Sequence, residues 1–378
     1  MTEFSLFLLV FTVSRWLAES GASLLEMGIV GGLFSLTSSV SSVVGGRLAD
    51  RIGNRPVILG GMALAVAGEL TVLSAAPGTV VYLVGYFLVG SGVGGMYPPI
   101  LAELTRGGGD VIVNRSGVGR TIILFCVAWN LGLIASQLLG GALFESSPEY
   151  PLLVAVASTL GSAGAIRTLG RRPVATEAAP ELTDAHHEHT ALSAAYVRLA
   201  WLANLAGTFA MSMIFHLFPK LMVTMGIDPE RHGMLLAFSR VVTIATYLVL
   251  YRSVFWHHSF ASMVASQVLG VVGLVTIALA PSTAWLALGL ALLAQLVGFN
   301  YFSSLYYSTT GSRDEDRGAA SGMHEATLAM GQAFGSILGG WTGLTWGARS
   351  PYVLAAGAIV VILGVQTVWY RSYVRPRG

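Results

Sequence analysis

Residues 46–55 read Gly46-Arg47-Leu48-Ala49-Asp50-Arg51-Ile52-Gly53-Asn54-Arg55, a charged stretch set between two long apolar runs. The run before it reaches from about Met27 to Gly45, and the run after it from Pro56 to about Ala75. Each is close to the ~20 apolar residues that a helix rising ~1.5 Å per residue needs to cross ~30 Å of hydrocarbon. The stretch therefore reads as a charged hairpin at a membrane surface, joining two transmembrane helices.

Composition agrees. Of 378 residues, 54% are hydrophobic and 11% charged, against roughly 25% charged in soluble domains. Forty-six glycines would weaken a soluble helical protein, but in lipid small residues let helices approach closely. The net charge of +2 points to no particular partner. The arginines are scattered among loops and form no basic face with interleaved aromatics, which excludes nucleic acid. The single cysteine, Cys126, lies inside an apolar run, so no intrachain disulfide is possible. The N-terminus is apolar from Phe4 onward without a basic leading segment or a small-residue cleavage site, and reads as the first span and not as a signal peptide.

Marking apolar runs between polar or Pro/Gly punctuation predicts twelve spans, near 3–18, 26–46, 56–75, 79–104, 120–143, 150–169, 195–221, 232–251, 258–279, 283–308, 318–345 and 350–370. With the N-terminus in the cytoplasm, sixteen of the 21 basic residues fall on the cytoplasmic side, so the positive-inside bias places both termini there.

The halves repeat. Gly21 and Gly28 sit 205 residues before Gly226 and Gly233, and Arg47 then matches Arg252. Gly94-Gly95-Met96-Tyr97 of span 4 answers Gly298-Phe299-Asn300-Tyr301 of span 10. The small residues Gly132, Ser136, Gly140 and Gly141 of span 5 answer Gly331, Gly335, Gly339 and Gly340 of span 11. The expected architecture is an all-α polytopic membrane protein of two pseudo-symmetric six-helix bundles, 1–170 and 194–378, joined by a polar cytoplasmic linker over 171–193. The repeat maps the start of span 7, near Ala195, upstream of Met1. Span 1 thus looks clipped, and the expected start lies upstream or the chain is shortened.

Gly46, Leu48, Ala49, Asp50, Arg51, Gly53 and Arg55 match the pattern G-x-L-A-D-R-x-G-x-R. In this the chain resembles the major facilitator superfamily of transporters, whose loop between the second and third helices carries that pattern. The resemblance implies a twelve-helix fold of six plus six. It also implies that Gly46, Asp50, Arg51, Gly53 and Arg55 latch the halves together in the outward-facing state. Asp50 suits the cap of a helix N-terminus in the other half, where the dipole favours a carboxylate, and Glu103, at the cytoplasmic end of span 4, is the expected partner of Arg55. Asn54 stands where the fuller family pattern has a basic residue, so Arg55 takes that role. The counterpart, Arg252-Ser253-Val254-Phe255-Trp256-His257-His258, keeps the leading arginine but lacks the aspartate and both glycines, which leaves the latch to the N-terminal half. Span 5, from Gly132 to Gly141, is similar to the family's antiporter motif G-x-x-x-G-P-x-x-G-G with Ser136 and Gln137 in place of Gly-Pro. Without the proline the helix keeps its backbone donor and loses the bend, which weighs against proton-coupled drug export. Tyr86 stands where such exporters carry an arginine in span 4.

Ionisable residues inside a membrane are expensive and functional by default. Arg240 lies too deep in span 8 to snorkel, and reads as an anion or carboxylate site or as half of an inter-helix pair. Arg15 and Lys220 occupy equivalent places at the outer ends of spans 1 and 7, where snorkelling or an electropositive rim to the cavity explains them. His324 and Glu325, in span 11, make a sensible proton-handling pair, the alternative being that they face a cytoplasmic vestibule. The family's cavity is lined by spans 1, 4, 7 and 10, which here carry Tyr97, Asn204, His216, Gln295, Asn300 and Tyr301. These suit hydrogen bonding to a polar solute, although a lone membrane Asn or Gln more often bonds a neighbouring helix. Trp129 and Asn130 in span 5 read the same way. His186-His187-Glu188-His189 in the linker holds metal-ligating residue types, but no second cluster fixes a geometry, and it reads as a solvated tether. No metal or cofactor is expected.

Enzymatic patterns such as G-x-S-x-G and H-E-x-x-H are absent. The sequence thus predicts a monomeric, non-enzymatic secondary transporter in a cell membrane that moves a small organic solute by alternating access, with proton coupling through His324 and Glu325 left open beside uncoupled transport. The competing reading is a transporter-shaped sensor or lipid scramblase. Few buried charges argue against a multiply charged solute; Arg240 leaves an organic anion open beside neutral or drug-like molecules.

Overall fold

A computed structural model describes residues 2–106, 115–168, 184–311 and 317–375, with side chains described outside 101–106, 115–122, 184–191, 309 and 317–322. In chain order the helices are α1 (Thr2–Glu19), α2 (Leu24–Ile52), α3 (Asn54–Ser74), α4 (Val80–Arg106), α5 (Arg115–Ser146), α6 (Glu149–Thr168), α7 (Asp184–His216), α8 (Phe218–Thr224), α9 (Pro229–Arg252), α10 (Phe260–Leu279), α11 (Thr283–Thr310), α12 (Arg317–Trp346) and α13 (Ser350–Trp369). No strand occurs among the described residues. Ten of these helices are long and apolar enough to cross a membrane. The long helices outside that set are α1, which carries Glu3, Arg15 and Glu19, and α12, which carries His324 and Glu325. Their lower apolarity reflects the polar and charged groups they carry.

Within the first six helices, α3 packs on α4, α4 on α2, and α1 on α5 and α6; from α7 onward, α10 packs on α11, and α7 on α12, α11 and α13. The most extensive contacts between the bundles are α2 on α12 and α5 on α9, with α1 also touching α7 and α8. Glycine makes such crossings close. A Cβ built on Gly45 would stand 2.0 Å from the carbonyl oxygen of Gly95, so α2 and α4 meet backbone to backbone. Each bundle also buries its own polar cluster. In the first, Glu69 Oε1 accepts from Ser5 Oγ at 2.9 Å and from Thr159 Oγ1 at 3.0 Å; in the second, Gln267 donates to Gln366, whose own amide donates to the Leu199 carbonyl at 2.6 Å.

The structure corrects three local expectations. The charged stretch is no hairpin loop: α2 runs on to Ile52, Gly53 alone breaks it at φ 88°, and α3 begins at Asn54. A glycine in the left-handed region reverses the chain without needing a loop. Span 7 is also not continuous. α7 stops at His216 and α8 starts at Phe218 with Pro219 in its first turn, because proline lacks the donor a continuing helix needs. Finally, α7 opens at Asp184, so part of the stretch expected as a linker is helical.

The repeat is visible in the backbone. Gly21 (φ 87°) and Gly226 (φ 68°) are repeat mates, and the mate of Gly53 is His258, which adopts φ 51° without being glycine. A left-handed residue with a Cβ costs about 1–2 kcal/mol. Here it is held by its N–H donating to Tyr307 Oη at 2.7 Å, by Tyr196 Oη donating to its carbonyl, and by Ser193 Oγ lying 3.0 Å from its Nε2.

Candidate functional site

The bundles are sealed at the end that carries the α1–α2 turn. Gly28 meets Gly340 on the α2–α12 crossing, and Gly233 meets Gln137 and Gly141 on the α5–α9 crossing. α1 closes the seam against the second bundle: Phe7 packs on Phe215 with ring centroids 5.0 Å apart, Phe11 on His232 at 4.9 Å, and Ser14 Oγ lies 3.5 Å from His216 Nδ1. Arg15 and Lys220 are not a rim around a mouth. The buried Arg15 donates from Nε to Glu19 at 2.7 Å and from Nη2 to the Ile227 carbonyl at 3.0 Å, while Lys220 Nζ donates to the Ala18 carbonyl at 3.3 Å. These two cations occupy equivalent repeat positions, and each caps a carbonyl of the opposite half.

Towards the other end the bundles part. Among the described side chains, the last bond between α2 and α12 is Ser35 Oγ to Gln332 Oε1 at 3.5 Å. Further along, α2 turns its small residues to α4, and Val40, Val43 and Val44 are exposed. Glu325 lies two turns beyond Gln332 on the same stripe of α12, opposite the exposed face of Met330, Phe334 and Trp341. Its side chain is exposed on the stripe that carries Gln332, and so lines the space left where the bundles part; this is the candidate cavity.

The polar groups of that cavity come from four helices. Glu3 of α1 accepts from Trp129 Nε1 of α5 at 2.7 Å. The Trp129 ring lies 5.1 Å from that of Tyr301 on α11, which meets the His324 ring of α12 edge-on at 5.3 Å. Ser304 Oγ is 2.9 Å from His324 Nδ1, and His324 Nε2 is buried without a partner. Glu3 and Glu325 lie within electrostatic range of each other and of Tyr301. Arg240 is not part of this group. Its guanidinium sits over the Phe215 ring, 5.0 Å from the centroid, and Nη2 is 3.5 Å from Met211 Sδ. Among the described residues it has no acidic partner, which rules out the inter-helix ion pair there.

The structure therefore brings together Tyr301, His324 and Glu325, leaves Arg240 on Phe215 and Met211, and sends the other expected cavity residues elsewhere. Asn204 donates to Thr327 Oγ1 at 3.1 Å, Asn300 to the Ala203 carbonyl at 2.7 Å, and Gln295 to Ser266 Oγ at 3.1 Å; all three tie helices of one bundle together. A buried amide in lipid takes the nearest helix as its partner before a solute can. His216 belongs to the sealed seam, and Tyr97 packs half-buried on the core of the first bundle. Tyr86 is buried against Phe34 at 4.6 Å. Trp129 does reach the cavity; Asn130 turns its amide to the Cys126 carbonyl at 2.8 Å.

In the charged stretch, Gly46 packs near Pro98, Asp50, Arg51 and Gly53 are exposed, and Arg55 donates to the Arg167 carbonyl at the end of α6, within its own bundle. The Glu103 side chain lies outside the described residues. A polar residue of this group that the sequence reading does not single out is Glu3. An acid two residues into an apolar helix was the available signal, and it was masked by its closeness to the start of the chain.

A family model described as the Major Facilitator Superfamily matches residues 1–323. Multidrug resistance protein MdtL of Escherichia fergusonii is 24% identical over 331 residues, covering 86% of this chain and 81% of MdtL. Multidrug resistance protein MdtH of Aeromonas salmonicida is 32% identical over 142 residues, 37% of this chain, and the match spans only 34% of MdtH. Among solved structures, a bacterial homologue of the human lysosomal transporter Spinster, inward-facing and unoccupied, superposes with a TM-score of 0.73 at 15% identity over 100% of this chain and 96% of that one. The nucleoside transporter NupG gives 0.69 at 15% identity, over 98% and 97%. At that identity the likeness speaks for the fold.

Proposed function

The chain belongs to the Major Facilitator Superfamily, a family of membrane transporters, and from that premise we propose that it carries a small organic solute across a cell membrane by alternating access. One observation carries this reading. The bundles are joined at one end by the Gly28–Gly340 and Gly141–Gly233 crossings, part towards the other, and bring Glu3, Trp129, Tyr301 and His324 of four helices into contact, with Glu325 beside His324 on α12. Rocking one bundle against the other about that level would expose the same groups to either side.

With the termini in the cytoplasm, as the distribution of basic residues favours, this state faces inward. The stretch from Gly46 to Arg55 then lies at the open end, with Asp50 free at the surface. It would engage the second bundle only when that end closes, which fits a latch for the outward-facing state. Glu325 with His324 is the proposed proton-handling pair, because a carboxyl on the cavity stripe of α12 changes its access to water as the crossing above it opens. The names of the relatives, which denote resistance to many drugs or transport of nucleosides, agree with an organic solute of modest size.

The test is uptake of labelled solutes into proteoliposomes, with and without an imposed pH gradient, followed beside the movement of fluorescent lipid. Saturable solute flux supports the transporter. Lipid movement without flux of any solute would favour a scramblase.

A further inference from the structure

We propose that the lipid-facing side of the second bundle holds one acyl chain of a membrane phospholipid, in an apolar groove between α7, α12 and α13 that is separate from the space between the bundles. The groove has a volume of about 500 Å³, within the ~300–1,000 Å³ of ordinary ligand sites. Leu205 and Phe209 of α7, half-buried, form its floor; Met330 and Phe334 of α12 and Val361 of α13, all exposed, form its rims. The packing of the helices fixes its shape. α12 is drawn onto α7 through glycine, a Cβ on Gly335 standing 2.2 Å from the Phe209 carbonyl oxygen. α13 is pinned near both ends, by Tyr352 set edge-on to Phe218 at 6.3 Å and by the Gln366 amide donating to the Leu199 carbonyl at 2.6 Å. Between those pins α13 presents Gly357, where a Cβ would meet nothing within 4 Å.

Chemistry, depth and width select the occupant. No residue lining the groove carries a polar side chain, and apolar cavities stay dry. Hydrocarbon therefore fills it, since lining atoms without a partner forfeit their dispersion contacts. α7 and α13 are both long and apolar enough to cross a membrane, which sets the groove among acyl chains. Leu354 lies four residues into α13, ~6 Å at ~1.5 Å per residue, and the groove runs ~12 Å further to Ile362. That is most of the ~15 Å that one leaflet of a ~30 Å core provides. A helix from a second chain is ~10 Å across with its side chains, so ~12 Å of it takes up roughly twice the volume of the groove. One extended hydrocarbon chain is thin enough to enter. Because Met330 and Phe334 stand on the face of α12 opposite Glu325, the chain would support α12 from the lipid side and leave the groups between the bundles untouched.

Photolabelling tests this on the full chain, reconstituted in vesicles of phosphatidylethanolamine and phosphatidylglycerol that carry a small fraction of phosphatidylglycerol with a diazirine in one acyl chain. Labelled positions are read by peptide mass spectrometry. Val268 and Val272 of α10, comparably exposed and likewise near mid-helix, are the reference. Met330, Phe334 and Val361 are expected to exceed them roughly 5-fold or more, the factor that about ten additional carbon–carbon contacts supply. Gly357→Trp fills the groove and should bring Met330 and Phe334 down to the level of Val268. Gly364→Trp, on the same helix at a glycine equally open but outside the groove, should leave their labelling as in the parent. Each variant replaces a poor helix former where nothing stands in the way, so melting temperatures are expected to hold. The proposal is overturned if groove and α10 residues are labelled alike, or if the groove stays unlabelled while Val268 and Val272 react, as it would beneath a second copy of the chain. It is equally overturned if Gly357→Trp leaves the labelling unchanged or if Gly364→Trp lowers it as much.

Discussion

Gly28 of α2 and Gly340 of α12 touch backbone to backbone at the sealed end: a Cβ on Gly28 would stand 2.8 Å from the Gly340 Cα and 2.4 Å from the Ser336 carbonyl oxygen. Their repeat mates, Gly233 and Gly141, make the other crossing, where a Cβ on Gly233 would stand 3.3 Å from the Gly141 Cα. Two pairs that the repeat relates thus seal one end of the cavity. Because the obstructing atoms are backbone, the added volume has nowhere to go.

Gly28→Val should wedge that end apart at a cost of about 1–3 kcal/mol to the sealed state. In a Cys126→Ala background, a Ser14→Cys thiol, buried in the seam against His216 in this state, should react faster with a membrane-impermeant maleimide once Gly28→Val is added. Unchanged reactivity would show that the crossing does not hold the end closed.

Arg15→Gln and Lys220→Met should act in the same direction, each releasing a carbonyl of the opposite half. Bonds to charged groups are worth about 1.5–3 kcal/mol, and the effect of Lys220 should be the smaller because it is only partly buried and its bond is longer. The same thiol assay reads both. An equal or larger effect from Lys220 would reverse this ranking.

Arg240→Ala should abolish transport while leaving the melting temperature near that of the parent. The guanidinium rests on Phe215 and Met211 without an acid to leave stranded, so the fold gains little from it. A folded, fully active variant would remove Arg240 from the transport cycle.

Glu325→Gln should leave flux that no longer responds to an imposed pH gradient, since an amide has no proton to exchange at the cavity stripe. Flux in the variant that still follows the gradient would assign coupling to another group.

Gln295→Leu and Asn300→Ala should lower thermal stability by about 0.5–2 kcal/mol, the range for inter-helix hydrogen bonds in membranes, with solute affinity unchanged. Each amide is committed to a neighbouring helix of its own bundle. Loss of affinity at unchanged stability would return them to the cavity.

The internal repeat proved the most informative feature of the sequence beyond the apolar runs. It pairs Gly28 with Gly233, Gly141 with Gly340 and Arg15 with Lys220 before any helix is placed, and the structure uses each pair in equivalent ways. It also pairs Gly53 with His258, where the residue changes but the left-handed turn is kept by bonds from Ser193, Tyr196 and Tyr307. Partners drawn from three distant segments cannot be read off one of them. For the same reason the spacing of Asn204, Gln295 and Asn300 suggests a polar cavity lining, while the rotation of each helix spends these amides on neighbours.

By itself, the sequence determined that the chain is a membrane protein of two related six-helix halves, because the length of an apolar run and the recurrence of small residues are properties of one segment at a time. Only the tertiary structure decided which polar groups share the cavity. Glu3, Trp129, Tyr301 and Glu325 are brought together by the crossing of α1, α5, α11 and α12. The hydrophobic pattern that places a helix in lipid constrains its depth closely and its facing towards other helices hardly at all; that facing comes from glycine-to-glycine contacts between segments far apart in the chain.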